Sequence, residues 1–112
     1  MYNEIIYLAD EVITDEKDDY GDPVTKFAIS QLFAKQKSIS QTEFYQAQTS
    51  DFKPEIKFKI PDYLDYSDQK YLIHENVRYK ILRTYRTEEN ELEITCYGGV
   101  RDVNTEVGDK NN

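Results

Sequence analysis

Tyr71–Cys96, YLIHENVRYKILRTYRTEENELEITC, is the stretch whose reading decides the fold. Val77, Tyr79 and Ile81 alternate with Arg78 and Lys80, with Arg86 expected on the cationic side; Leu92, Ile94 and Cys96 then alternate with Glu91, Glu93 and Thr95. A period of two with one apolar side means half-buried antiparallel strands, because successive side chains leave opposite faces of a sheet. Glu75-Asn76 lies between two of these runs as a tight hairpin turn, where asparagine tolerates positive φ. The segment from Gln69 to Tyr97 reads as a β-meander, a scaffold before a catalyst.

Upstream of it, Ile56, Phe58 and Ile60 alternate with Glu55, Lys57 and Lys59, and Pro54 and Pro61 bracket the run. Asp62 to Ser67 is a loop. Ser40-Gln41-Thr42-Glu43 has the form of a capping box, and Phe44 and Ala47 follow at helical spacing, so a short helix is expected over Gln41 to Thr49. A strand from Lys26 to Ile39 sets Phe27, Ile29 and, after a slip at Leu32 read as a β-bulge, Phe33 against Lys35 and Lys37. Glu4 to Thr14 is a first strand with poor alternation. Between the two, Asp15 to Thr25 reads as a mobile polar loop, since Gly21 and Pro23 oppose a regular strand. Phe27, Phe33, Phe58 and Tyr79 are expected inside. The whole is mainly β: a small antiparallel barrel of about six strands, since closure removes exposed edges, with one short α-helix and a flexible loop. Residues 1–98 form the single barrel domain, and 99–112, which lack periodicity, a flexible C-terminal tail.

The chain has 112 residues and a net charge of −8. That length suffices for one core without metal or disulfide. Asp10 to Asp22 holds seven acids against Lys17, a net of −6, leaving −2 for the rest of the chain. With no basic patch, sequence-specific nucleic-acid binding is not expected, because that affinity comes from lysine and arginine meeting phosphates. The N-terminus shows no basic leader and no apolar run long enough to span a membrane, so a soluble chain made in a cytoplasm is expected. Cys96, the single cysteine, falls on the apolar side of its strand and reads as a small buried hydrophobe.

Few residues of the chain are arranged for chemistry. His74 is the single histidine, with no cysteine or second histidine beside it to complete a zinc set, and next to the Glu75-Asn76 turn it reads as solvated or turn-capping. No serine sits in a glycine-flanked elbow, and no glycine loop has phosphate-cradling spacing. Placing the glycine of a calcium loop on Gly21 puts Glu16, Asp18 and Tyr20 in ligand slots but Phe27 where the bidentate acid belongs, so the match fails. The pairs Glu88-Glu89 and Glu91-Glu93 lie in a turn and on an outward face, too exposed for general acid work. No enzyme and no cofactor is expected. Asp15, Glu16, Asp18, Asp19, Tyr20, Gly21 and Asp22 remain as a charged loop, with the loop tyrosines Tyr63 and Tyr66 as interface candidates.

Several segments, in order, resemble the phage head-tail joining family, the head closure or adaptor proteins of long-tailed bacteriophages. These are Asp18-Asp19-Tyr20-Gly21, Leu32-Phe33-Ala34, Ser40 with Glu43-Phe44-Tyr45-Gln46-Ala47, Ile56 to Ile60, Tyr79-Lys80-Ile81 and Leu92 to Cys96. The resemblance covers about Val12 to Tyr97. Phe27 stands where members often carry tryptophan, Asn76 where they carry glycine, and Asp10-Glu11 where basic residues are common. The resemblance implies a structural protein of the virion neck, self-associating into a ring, with portal or connector proteins of the head and tail-completion proteins as partners and the loop Asp15 to Asp22 projecting toward a partner or the lumen. A small-ligand or oligosaccharide-binding barrel is the rival reading, because fold does not fix function.

Overall fold

The computed structural model describes residues 1–42 and 52–101, apart from the side chains of 13–15 and 23–25. Six strands, β1 (Glu4–Lys17), β2 (Pro23–Lys37), β3 (Ile56–Ile60), β4 (Tyr71–His74), β5 (Val77–Arg86) and β6 (Leu92–Arg101), close into an antiparallel barrel. Around the barrel they run β1-β2-β3-β6-β5-β4, with β4 returning to β1 through Tyr7–Ala9. The meander is present as β4-β5-β6, and Glu75 and Asn76 both take positive φ in its first turn. Closure pairs every strand on both sides over at least part of its length.

Side-chain alternation fills the interior. Phe58 and Ile60 from β3, Ile94 and Cys96 from β6, Ile6 and Leu8 from β1 are fully buried there. Each large apolar side chain so buried is worth roughly 1.5–3 kcal/mol over exposure. The outward residues of β3 and those of β6 and the residue before it make a charged ladder, with Lys57 Nζ 3.8 Å from Glu93 and Lys59 Nζ 3.3 Å from Glu91. β3 and β4 lie on opposite sides of the closed sheet, so the connection from Pro61 to Lys70 crosses an open end of the barrel. It carries a 3₁₀ turn at Tyr63–Asp65, capped by Asp62, whose Oδ1 accepts from the Leu64 amide at 2.9 Å.

Five expectations are corrected. First, the polar loop expected from Asp15 to Thr25 is only a five-residue turn, Asp18 to Asp22, since β1 runs on to Lys17 and β2 starts at Pro23. A proline is tolerated as the first residue of a strand, where its missing N–H interrupts no ladder. Second, the bulge is not at Leu32: pairing is unbroken from Glu4↔Ala34 to Ile13↔Thr25, and the register shifts between Ile13 and Lys17. Third, with no slip, Leu32 and Ala34 face the barrel core, Phe33 on the other side is 55% exposed, and Phe27 and Ile29 lie outside the barrel interior, half-buried in a second apolar cluster around Ala9 and Ile73. Fourth, a register shift between Ile81 and Arg83 brings Arg86 opposite Leu92, off the face of Arg78 and Lys80. Fifth, β6 continues through Gly98-Gly99 to Arg101, beyond the expected boundary at 98. Gln41 and Thr42 are helical, and the rest of the expected helix, like most of the expected tail, lies outside the described residues.

β1 from Asp10 and β2 up to Ala28 pair with each other and, among the described residues, with no third strand. They form a two-stranded ribbon about 25 Å long at the rise of a β-strand. The molecule accordingly measures 48 × 32 × 21 Å.

Candidate functional site

The acidic candidates collect at the end of this ribbon. Asp15 and Glu16 belong to β1, and Glu16 reaches across to Lys26 of β2 at 3.1 Å. Both ends of that pair are well exposed, so it contributes little to stability. Asp18 organises the turn: its Oδ1 accepts from the amides of Tyr20 at 2.8 Å and Asp22 at 3.0 Å, while its carbonyl accepts from Gly21 at 3.0 Å. The Asp22 carbonyl accepts in return from the Asp18 amide at 2.9 Å. Gly21 has φ of +84°, a conformation that glycine enters without a Cβ penalty. Asp19, Tyr20 and Asp22 are thereby presented to solvent, with Tyr20 90% exposed. The seven loop candidates thus divide into two strand residues, two residues that build the turn, and three side chains displayed by it.

Tyr63 and Tyr66 are placed elsewhere, on the connection over the barrel end. Both are half-buried against the core. The Tyr63 amide donates to the Asn90 carbonyl at 2.9 Å, and the Arg86 guanidinium stands 3.8 Å above its ring. The register shift in β5 makes that cation–π contact possible. The Tyr66 hydroxyl donates to the Gln69 carbonyl at 3.2 Å, and burial, then the charges of Asp68 and Asp10, raises its pKa above the ordinary range. Tyr66 also borders a shallow cleft of about 450 Å³ with Tyr71, Tyr97, Lys70, Lys80 and Asp68. The loop tyrosines cover the barrel end and do not meet the ribbon tip in one site.

An apolar row on the outer wall escaped sequence reading. Ile5, 45% exposed, pairs directly with Phe33, and the row continues through Tyr7, Ala9, Ile29 and Phe27. At its far end Phe27 meets Tyr71 edge-on with centroids 5.6 Å apart, and the Arg78 guanidinium lies over both rings at 5.3 and 5.7 Å. The signal was the parity of Phe27, Ile29 and Phe33, which was assigned to the core. Two strand faces that are both apolar cannot be ranked by alternation alone.

His74 corrects a further expectation. Expected to be solvated or to cap the turn, it is instead 6% exposed, its ring tilted against Phe58 at 4.8 Å and its Nε2 2.8 Å from Glu4 Oε1 of β1. Its position after Leu72 gives it the inward parity. Cys96 is buried as expected, and burial, with the charge of Glu55 adding to it, pushes its thiol up to about 12. No protein-family model and no curated protein matches this chain.

Proposed function

We propose that the chain is a structural component of the phage neck, a head-tail connector that binds below the portal complex and joins a DNA-filled head to its tail. One observation carries the reading: a barrel filled by its own side chains bears two unlike outward features, the apolar row from Ile5 and Phe33 to Phe27 and the ribbon with an acidic tip. A rigid wedge whose apolar wall is exposed at Ile5 and Phe33 suits neighbours in a closed ring, and a projecting ribbon suits a partner above or below that ring. The order of segments resembling the head-tail joining family supports the same reading. An acidic tip facing the lumen would repel DNA phosphates and let the genome pass without adhering. Replacing Asp19 and Asp22 with lysine leaves Asp18 to hold the turn and should slow DNA ejection; unchanged ejection kinetics would sink the lumen placement.

In vitro joining tests the function itself. DNA-filled tail-less heads, free tails and the purified chain are mixed, and infectious titre is counted with and without the chain. A rise that depends on the chain supports the reading, and no rise overturns it.

The cleft beside Tyr66, Tyr71 and Tyr97 favours the second reading, a small-ligand or oligosaccharide module, because tyrosine rings and flanking charges suit a sugar face and its hydroxyls. Shifts confined to the Tyr66, Tyr71 and Tyr97 resonances during titration with an oligosaccharide would favour it.

A further inference from the structure

We propose that Glu4, His74 and Glu75 form a binding site for one divalent transition-metal ion of the zinc class at the mouth of the barrel. Glu4 opens β1 with the inward parity of Ile6 and Leu8, His74 closes β4, and Glu75 begins the turn to β5. His74 Nε2 is 2.8 Å from Glu4 Oε1 and 3.9 Å from Glu75 Oε2, and the three ligand atoms lie within 4.8 Å of one another. Among the described residues this is the one place where three such side chains converge.

The spacing fits the metal. Bonds of about 2.1 Å at tetrahedral angles put neighbouring ligand atoms about 3.4 Å apart. The spread here, from 2.8 to at most 4.8 Å, brackets that value, so small rotations of the two carboxylates complete the set. One imidazole nitrogen with two carboxylates offers two negative charges to a dication, and the nitrogen favours zinc-like ions over magnesium or calcium. The cation takes the place of the hydrogen between Nε2 and Oε1, the neutral ring carrying its one hydrogen on Nδ1 and any second ring proton leaving to solvent, and water takes the fourth position on the open side, where Glu75 is exposed.

The imidazole is held ready. Burial and the Phe58 ring fix its plane, and the positive φ of Glu75 fixes the backbone that carries the third ligand. Glu4 and His74 are seventy residues apart in the chain, so an ion here ties the start of β1 to the β4–β5 turn. Binding of the ion to the folded state then raises the thermal midpoint by mass action. This inference is independent of the neck reading.

The test uses the full chain and zinc chloride, followed by calorimetry, thermal unfolding and the His74 ring resonances, with cobalt(II) as an optical probe. One equivalent of zinc, a raised midpoint, shifted His74 resonances and a four-coordinate cobalt spectrum are expected. Glu75→Gln changes an exposed turn residue and should keep the fold while weakening binding about tenfold or more. Asp19→Asn at the ribbon tip should change nothing. No binding by the wild-type chain, or equal binding by Glu75→Gln, overturns the site; loss in Asp19→Asn would place the cation at the acidic tip and overturn it too.

Discussion

Cys96 shows how burial decides the chemistry of one residue. Its thiol lies on the inner face of β6, and with its pKa pushed up to about 12 it carries almost no thiolate at neutral pH. The folded chain should resist a disulfide reagent at pH 8 and react only as fast as it unfolds; rapid labelling of the native protein would contradict this. The folded state holds the neutral thiol where an unfolded chain ionises. Stability on this account is undisturbed below about pH 8 and declines as pH climbs toward 12. Glu91 works in the opposite direction. The Tyr2 hydroxyl, then Lys59 and Thr87, hold its carboxyl below the usual range. That contribution is complete above the ordinary carboxylate range and is lost as pH falls through the lowered value. In Tyr2→Phe, carbon-detected NMR titration should place Glu91 higher than in wild type but not above the ordinary range, since Lys59 remains; an unmoved Glu91 would remove Tyr2 from the account.

At the scale of elements, legibility followed the contrast between the two faces of each strand. β3 and β6 alternate apolar with charged residues, so Phe58, Ile94 and Cys96 were assigned inward correctly. β2 offers the large residues Phe27, Ile29 and Phe33 on one parity and the mostly smaller Val24, Ala28, Leu32 and Ala34 on the other. The bulkier set was read as core, although the inner wall is set by the neighbours β2 meets, β1 and β3, which its own sequence does not record. The ribbon was hidden by composition, because acids, Gly21 and Pro23 read as loop while cross-strand pairing extends the hairpin. His74 and Glu4 could not be joined from sequence, since only the β1–β4 closure brings them together. The role of Asp18 is testable here. Asp18→Ala removes the oxygen that accepts from the Tyr20 and Asp22 amides at an exposed turn, a loss of about 1 kcal/mol. Ribbon amides in β1 beyond Asp10 should then exchange about fivefold faster while those of Ile94 and Cys96 are unchanged. Equal acceleration throughout would mean that ribbon and barrel open as one unit.

For the whole molecule, the account rests on the outer surface. The barrel keeps its core to itself and presents Ile5 and Phe33 outward, so a double change to Ile5→Thr and Phe33→Thr, which keeps strand-favouring residues and adds no charge, should move the thermal midpoint little. The same variant should fail to join heads to tails when it replaces the wild-type chain. Full joining by that variant would show that the apolar row is not an assembly surface. The neck function itself is tested most directly by electron microscopy of lysates from a phage or prophage in which this gene is disrupted. The account predicts filled heads and free tails side by side, unjoined, with joining restored when the chain is supplied. Normal numbers of joined virions from the disrupted phage would contradict it.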